Sequence, residues 1–388
     1  MRRLTLTAII GIAMASTGYA QSTQSPLEPK SGSFFETHPI TDGNMPTFFS
    51  ELKAKMTYPL AYDGGDPAAW RERVLPAAEA LMLPSEDTVA FKPEVIDQID
   101  RGAFTAMRVA FNITDESRVA AIVLVPEGEG PFPGVLMLHD HGARFDIGKE
   151  KWIRPWYDAA RLKSTTQWSE KYFSGLFPGE ELAKRGYVVV ATDALGWGDR
   201  AGNGYEAQQA LASNLVNLGS SLAGIMAQED VRASEFVASL PEVDPERVGV
   251  VGFSMGAFRA WQVAALSPVV KATVADCWMA TYDGLMVPGN NQLKGQSAWY
   301  MSHPGLARVM DYPDVASLAA PKALYFMEGV DDPLFPKASV EHAYAKMHTV
   351  WDAYNADDML KTEFFEGGHI FTEDRQKAAF DWLDGQLK

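Results

Sequence analysis

The chain has 388 residues, 47% of them hydrophobic and 22% charged, with a formal net charge of −16. That length holds one large domain plus an extension, or two domains, and the composition is that of a folded globular protein. So acidic a balance excludes a phosphate-binding nucleic-acid face and an anionic membrane surface as partners, and fits a neutral or weakly charged substrate.

Met1-Arg2-Arg3 is a basic start, a mostly apolar stretch runs from Leu4 to Ser16, and Gly18-Tyr19-Ala20 supplies small residues. This is the pattern of a secretory signal at 1–20, cleaved before Gln21, and it predicts export to the periplasm or the extracellular space. No later run reaches the roughly 18 apolar residues of a membrane span. The single cysteine, Cys277, is not at the cleavage site and allows no internal disulfide, so stability must come from a core. Cys277 itself lies in the apolar run Ala272–Trp278 and reads as an inert buried residue.

Residues 21–100 read as a partly helical N-terminal extension. Its first part, 21–45, is rich in Ser, Thr, Pro and Gly and reads as a loosely docked start. Helices follow near Phe48–Lys55 and Pro67–Met82, the second ended by Pro84 and Ser85. Residues 101–388 read as one catalytic domain. Ala106–Ile113 and Arg118–Val125 form an expected antiparallel hairpin about the turn Asp115-Glu116-Ser117. Strands and helices then alternate. Strands are expected at Gly134–Leu138, Tyr187–Thr192, Val248–Phe253, Val270–Cys277, Lys322–Met327 and Lys361–Phe365. Helices are expected at Gly179–Lys184, Ala207–Leu240, Met255–Leu266, Ala338–Tyr354 and Thr372–Gln386.

Continuous apolar strands separated by helices predict an α/β fold: a mostly parallel central sheet with an antiparallel N-terminal hairpin and helices on both faces. Reactive loops of such a sheet lie at the carboxyl ends of its strands. Two insertions leave from those ends, 144–176 with Trp152, Trp156, Trp168 and Tyr172, and 279–318 with Trp299, Tyr300 and His303. Both are expected to roof the site. Their aromatic residues serve either as lid core or as stacking surfaces for a sugar or aromatic ester.

Gly252-Phe253-Ser254-Met255-Gly256 ends one apolar strand and opens one helix. A serine on that turn is exposed and strained, and the flanking glycines let strand and helix close on each other. A neutral hydroxyl is a weak nucleophile and needs a base. Of seven histidines, His369 alone follows the last strand, after the glycine pair of Glu366-Gly367-Gly368. His342 and His348 fall within a helix, His303 within an insertion, His38 within the N-terminal start, and His139 and His141 before the serine. The orienting acid is sought after a strand between serine and histidine, where Val330-Asp331-Asp332-Pro333 lies. Asp332 is the first choice, Asp331 reads as a turn residue, and Asp276 is a third candidate. Two backbone amides are assigned to the oxyanion, that of Met255 after the nucleophile and that of His141 in the loop 139–143.

Two rival motifs are present. Gly196-Trp197-Gly198-Asp199-Arg200 imitates a dinucleotide fingerprint. However, Asp193-Ala194-Leu195 separates it from its strand, and Trp197 fills the turn. A structural loop with Asp199 and Arg200 paired is the better reading. His139-Asp140-His141 would suit a metal, but no second cluster of ligands stands out. No cofactor and no metal are therefore expected. A catalytically inactive binding protein on the same fold is the remaining alternative of another class.

Residues from about 100 to 388 resemble the α/β-hydrolase superfamily, in particular the dienelactone-hydrolase-like and acetyl-xylan-esterase-like serine esterases of bacteria. The matching segments include Leu138–Gly142, Gly148-Lys149-Glu150-Lys151, Leu182–Val189, Gly196–Arg200, Pro241-Glu242-Val243-Asp244, the serine elbow, Ala320-Pro321-Lys322 and Asp332-Pro333-Leu334-Phe335-Pro336. The resemblance implies a carboxylic-ester hydrolase working through an acyl-enzyme, with an acetylated saccharide or short-chain ester as substrate. A lactone or a uronate ester on the same triad is the alternative. In the family the acid precedes such a Pro-x-Phe-Pro run, which favours Asp332. Dienelactone hydrolases proper are shorter and carry cysteine at the elbow. Related glucuronoyl esterases carry arginine directly after the serine, where this chain has Met255 and reaches an arginine only at Arg259.

Overall fold

The computed structural model describes residues 45–388 except 86, 203 and 291–299. The segment read as a signal, His38 and Trp299 lie outside the described residues. Nine strands form one sheet: β1 (Glu94–Asp100), β2 (Phe104–Asn112), β3 (Arg118–Pro126), β4 (Phe132–Leu138), β5 (Val188–Thr192), β6 (Val243–Phe253), β7 (Val270–Asp276), β8 (Ala323–Gly329) and β9 (Leu360–Phe365). Their order is β1-β2-β3-β5-β4-β6-β7-β8-β9. Neighbours from β5 to β9 run parallel, whereas β1, β2 and β3 pair antiparallel with each other and β3 antiparallel with β5. The expected fold class is therefore present, with a three-stranded antiparallel edge in place of a hairpin. Glu94–Asp100, within the stretch read as extension, is the added strand. Its face is largely exposed, so no buried alternation marks it.

The helices are α1 (Phe49–Lys53), α2 (Pro67–Met82), α3 (Ala159–Tyr172), α4 (Pro178–Lys184), α5 (Tyr205–Asn217), α6 (Leu222–Ser239), α7 (Met255–Leu266), α8 (Tyr282–Leu285), α9 (Tyr312–Ser317), α10 (Lys337–Ala353) and α11 (Glu373–Leu387). The stretch 207–240, expected as one helix, is two, α5 and α6, bent by 87°. Gly219 takes φ +79°, and the Ser221 hydroxyl caps α6 by accepting from Gly224 N–H at 2.9 Å. No single described helix is long and apolar enough to cross a membrane.

Side chains alternate across the strands and divide the core. Leu324 and Phe326 of β8 join α7, α9 and α10 on one face, while Ala323, Tyr325 and Met327 join α4 and α11 on the other. Strand order reverses between β4 and β6, since the chain proceeds from β4 to one side and from β6 to the other. The loops after these two strands, 139–143 and the elbow at Ser254, flank that switch point, where open α/β sheets place their ligands.

Candidate active site

Ser254 sits between β6 and α7 with φ +57° and ψ −123°, a backbone conformation that an L residue holds only under constraint. The constraint is close packing. A Cβ on Gly252 would lie 2.0 Å from the Gly256 carbonyl oxygen, and one on Gly256 would lie 1.7 Å from the Leu138 carbonyl oxygen. The elbow is thus wedged against the end of β4, and both glycines are sterically required.

The structure brings Asp332, His369 and Ser254 into one hydrogen-bonded chain. His369 Nδ1 lies 2.6 Å from Asp332 Oδ2, and His369 Nε2 lies 2.7 Å from Ser254 Oγ. With a carboxylate on one side, Nδ1–H donates to Asp332 and Nε2 accepts from the hydroxyl. Burial of Asp332 favours its protonated form, but the hydrogen bond and charge of His369 outweigh it and hold the carboxyl below its ordinary range. Asp331 is exposed and reaches no histidine; its amide donates to the Gly367 carbonyl. Asp276 is fully buried behind the chain, beside Arg375 and Cys277, and burial pushes it up to about 7. Glu328 is buried there too, and burial together with the charges of Asp332 and Asp276 raises it well above a usual glutamate. Arg375 also donates to the carbonyls of Glu366, Gly368 and Ile370, which fastens the loop that carries His369.

Met255 opens α7, so its amide has no partner four residues back in the helix. The loop after β4 runs His139-Asp140-His141-Gly142-Ala143 and borders the same cleft. All four ring nitrogens of its two histidines have protein partners. His139 Nδ1 donates to the Asp140 carbonyl, and Nε2 accepts from Ala194 N–H. His141 Nε2 donates to Gln208 Oε1, and Nδ1 accepts from Ala143 N–H. Burial lowers both, His141 to about 4, so both rings are neutral hydrogen-bonding parts of the loop. That is not the donor set of an ion site, and the metal reading of His139 and His141 has no geometric support.

The Gly196–Arg200 segment is a short 3-10 turn, not the start of a long helix, so it makes no dinucleotide cradle. The expected Asp199–Arg200 pair is not formed. Arg200 binds Glu229 at 2.5 Å, and Asp199 binds Lys149 at 2.7 Å and Arg161 at 2.6 Å. The reason is direction: the turn sends the two side chains to different neighbours.

The cleft over Ser254 has a volume of about 340 Å³. Both insertions wall it, the first with Trp168 and Tyr172, the second with Leu285 and Met301. Trp152 instead is core, stacked on Phe173 at 5.1 Å, and Tyr300 and His303 are buried. Trp278 and Phe335 also line the cleft and were not assigned to it from the sequence; Trp278 lies two residues past the end of β7 and Phe335 three residues past Asp332. Arg259 is turned away from it. Its guanidinium is 2% exposed and grips Asp230 through Nε–Oδ2 at 2.7 Å and Nη2–Oδ1 at 2.6 Å.

A sequence profile of the dienelactone hydrolase family matches residues 178–382, more than half the chain. The chain belongs to the dienelactone hydrolase family. It is 30% identical over 257 residues to a protein of Bacillus subtilis strain 168 named as hydrolase YtaP, an alignment covering 66% of this chain and 79% of that one. Among solved structures, one named as an acetyl xylan esterase of Bacteroides fragilis superposes with a TM-score of 0.66 at 17% identity, covering 82% of each chain. A glucuronoyl esterase of Solibacter usitatus superposes at 0.61 and 16% identity, covering 86% of this chain and 98% of that one. The fold of this hydrolase family member is thus shared with carbohydrate esterases.

Proposed function

We propose that the protein is a serine carboxylic-ester hydrolase in which Ser254 is the nucleophile, His369 the general base and Asp332 the orienting acid. The observation that carries this reading is the Asp332–His369–Ser254 chain at 2.6 and 2.7 Å. Ser254 Oγ attacks the ester carbonyl as its proton passes to His369 Nε2. The amides of Met255 and His141 receive the oxyanion. Collapse of the tetrahedral species expels the alcohol, which takes the proton from Nε2, and leaves an acyl-serine. Water, deprotonated by the same nitrogen, then releases the acid and restores the serine. Asp332 keeps Nδ1 protonated throughout, so that Nε2 is the free base.

The substrate we infer is an acetyl or other short-chain ester of a neutral saccharide, drawn from solution without a cofactor. A cleft of about 340 Å³ lies at the small end of ligand pockets, and the aromatic faces of Trp168 and Tyr172 from the first insertion, with Trp278 and Phe335, suit a sugar ring. Arg259, committed to Asp230 and absent from the cleft lining, offers no cation to the ester carbonyl of a uronate, which disfavours the uronate-ester alternative. The basic-apolar start of the sequence supports a place outside the cytoplasm. The test has two parts. Ser254→Ala is expected to lower kcat by about 10⁴-fold with the fold intact. Wild type is expected to cleave p-nitrophenyl acetate faster than the octanoate and to release acetate from acetylated xylo-oligosaccharides. A Ser254→Ala protein keeping a tenth of the activity refutes the nucleophile. Faster octanoate cleavage without acetate release refutes the substrate and leaves the triad standing.

A further inference from the structure

Two sequence segments carry no role in the chemistry above, Gly148-Lys149-Glu150-Lys151 and Gly196-Trp197-Gly198-Asp199-Arg200. In the fold they meet beneath the loop 139–143. Lys149, Glu150 and Lys151 are fully buried, an unusual place for three charges in a row. Lys149 Nζ is held by Asp193 at 2.6 Å, Asp199 at 2.7 Å and Glu150 at 3.0 Å. The Lys149–Asp199 pair joins the two segments, and the Gly198 amide donates to the Phe145 carbonyl at 2.9 Å, three residues ahead of Gly148.

The two residues of this scaffold that face the loop bind its backbone. Lys151 Nζ donates to the Asp140 carbonyl at 2.7 Å, to the His141 carbonyl at 3.2 Å and to Asp140 Oδ2 at 3.1 Å. Trp197 Nε1 donates to the same His141 carbonyl at 3.0 Å. The peptide unit is planar and trans, so the carbonyl of one residue and the amide hydrogen of the next point in opposite directions. Holding the Asp140 oxygen down towards Lys151 therefore turns the His141 N–H the other way, and an ammonium at the carbonyl end further polarises that N–H. The restraint is needed, because Gly142 and Ala143 take φ +54° and +53°, left-handed backbone that alanine seldom adopts unaided. The roof of the loop is also closed: Trp168 Nε1 donates to Asp140 Oδ1 at 3.1 Å, and its ring lies 2.2 Å from where a Cβ on Gly142 would be.

We propose that Lys151 and Trp197 are positioning residues of the oxyanion hole, which hold the Asp140 and His141 carbonyls so that the His141 amide is presented to the substrate oxygen. This inference rests on the serine-esterase reading and names the device that keeps one of its two oxyanion donors in place. Loss of a donor itself costs about 10²–10³ in kcat; misorientation is expected to cost about 10–10²-fold.

The test uses the full chain as Lys151→Met and, since loss of a buried cation can impair folding, Trp197→Phe, which keeps an aromatic ring and loses the N–H. Active sites are titrated with a fluorophosphonate so that kcat is expressed per competent enzyme. Expected are a kcat for p-nitrophenyl acetate lowered at least tenfold, a KM within about threefold of wild type, and a Ki for a trifluoromethyl ketone, whose hemiketal carries an oxyanion, raised in proportion to the loss in kcat/KM. A role in folding alone predicts a lower active fraction and melting temperature with kcat per site and Ki unchanged, and that result overturns the proposal. If Lys151→Met does not fold, Trp197→Phe decides by the same two readouts. Inactive Ser254→Ala beside fully active Trp197→Phe overturns the positioning role and not the esterase; active Ser254→Ala overturns the esterase reading itself.

Discussion

Arg259 tests both the stability of the site and its substrate. Its guanidinium and the Asp230 carboxylate are each 2% exposed and joined by two hydrogen bonds of 2.6 and 2.7 Å. Arg259→Met keeps much of the volume but leaves the Asp230 carboxylate buried without its cation. Removing one partner of such a pair costs about 3–5 kcal/mol, because the desolvation of the survivor is no longer offset. At about 2 °C per kcal/mol for a domain of this size, the melting temperature should fall by roughly 6–10 °C. The double variant Arg259→Met/Asp230→Leu removes both charges and should recover most of the loss, since an apolar pair of similar volume is often neutral. Scanning calorimetry of wild type, the two single variants and the double variant gives the coupling directly. The same proteins address specificity. Arg259 does not line the cleft, so the ratio of kcat/KM for a glucuronate methyl ester to that for p-nitrophenyl acetate should be unchanged in Arg259→Met. A single variant melting within 2 °C of wild type refutes the energetic argument, and a selective loss on the uronate ester refutes the geometric one.

Gly256→Ala would put a methyl carbon 1.7 Å from the Leu138 carbonyl oxygen, a backbone atom that cannot move aside. Soluble expression or a melting temperature lowered by more than 5 °C is the expected outcome, and a fully active, equally stable variant contradicts the packing of the elbow. Asp276 is raised to about 7, chiefly by burial and against the charges of Arg375 and His369. Its native form thus binds a proton that the unfolded chain has released above about pH 4. Stability relative to Asp276→Asn should therefore fall as pH rises from about 4 to 7; melting temperatures of both proteins across that range check it, and a flat or rising difference refutes it. Cys277 is fully buried, and burial raises its thiol well above the ordinary range. Iodoacetamide should leave it unmodified in the native protein and label it in guanidinium chloride, as read by mass spectrometry; labelling under native conditions contradicts its placement.

Much of the site was legible in the sequence because its parts announce themselves locally. A strand-serine-helix turn between two glycines, a glycine pair before His369 and a proline after Asp332 are short-range patterns with a steric reason. The contact that distinguishes Asp332 from Asp331 and Asp276 is not local. Three carboxylates occupy strand ends facing the same region, and only the paths of β7, β8 and β9 decide that Asp332 meets His369 Nδ1. The break between α5 and α6 was marked by Gly219-Ser220-Ser221, yet a long apolar periodicity across it concealed the stop. Strand β1 left no pattern, because an edge strand with little buried surface has no face for alternation to record. Partners of buried charges were the least legible of all. Asp199 and Arg200 are adjacent in the chain but bind Lys149, Arg161 and Glu229, which lie 29 to 50 residues away. Sequence by itself determined the fold class and the chemistry expected at the elbow, since both follow from periodicity and from the stereochemistry of one turn. Tertiary structure alone decided which side chains wall the cleft and which buried cations lie under its loop, because those contacts depend on where distant strand ends and insertions come to rest.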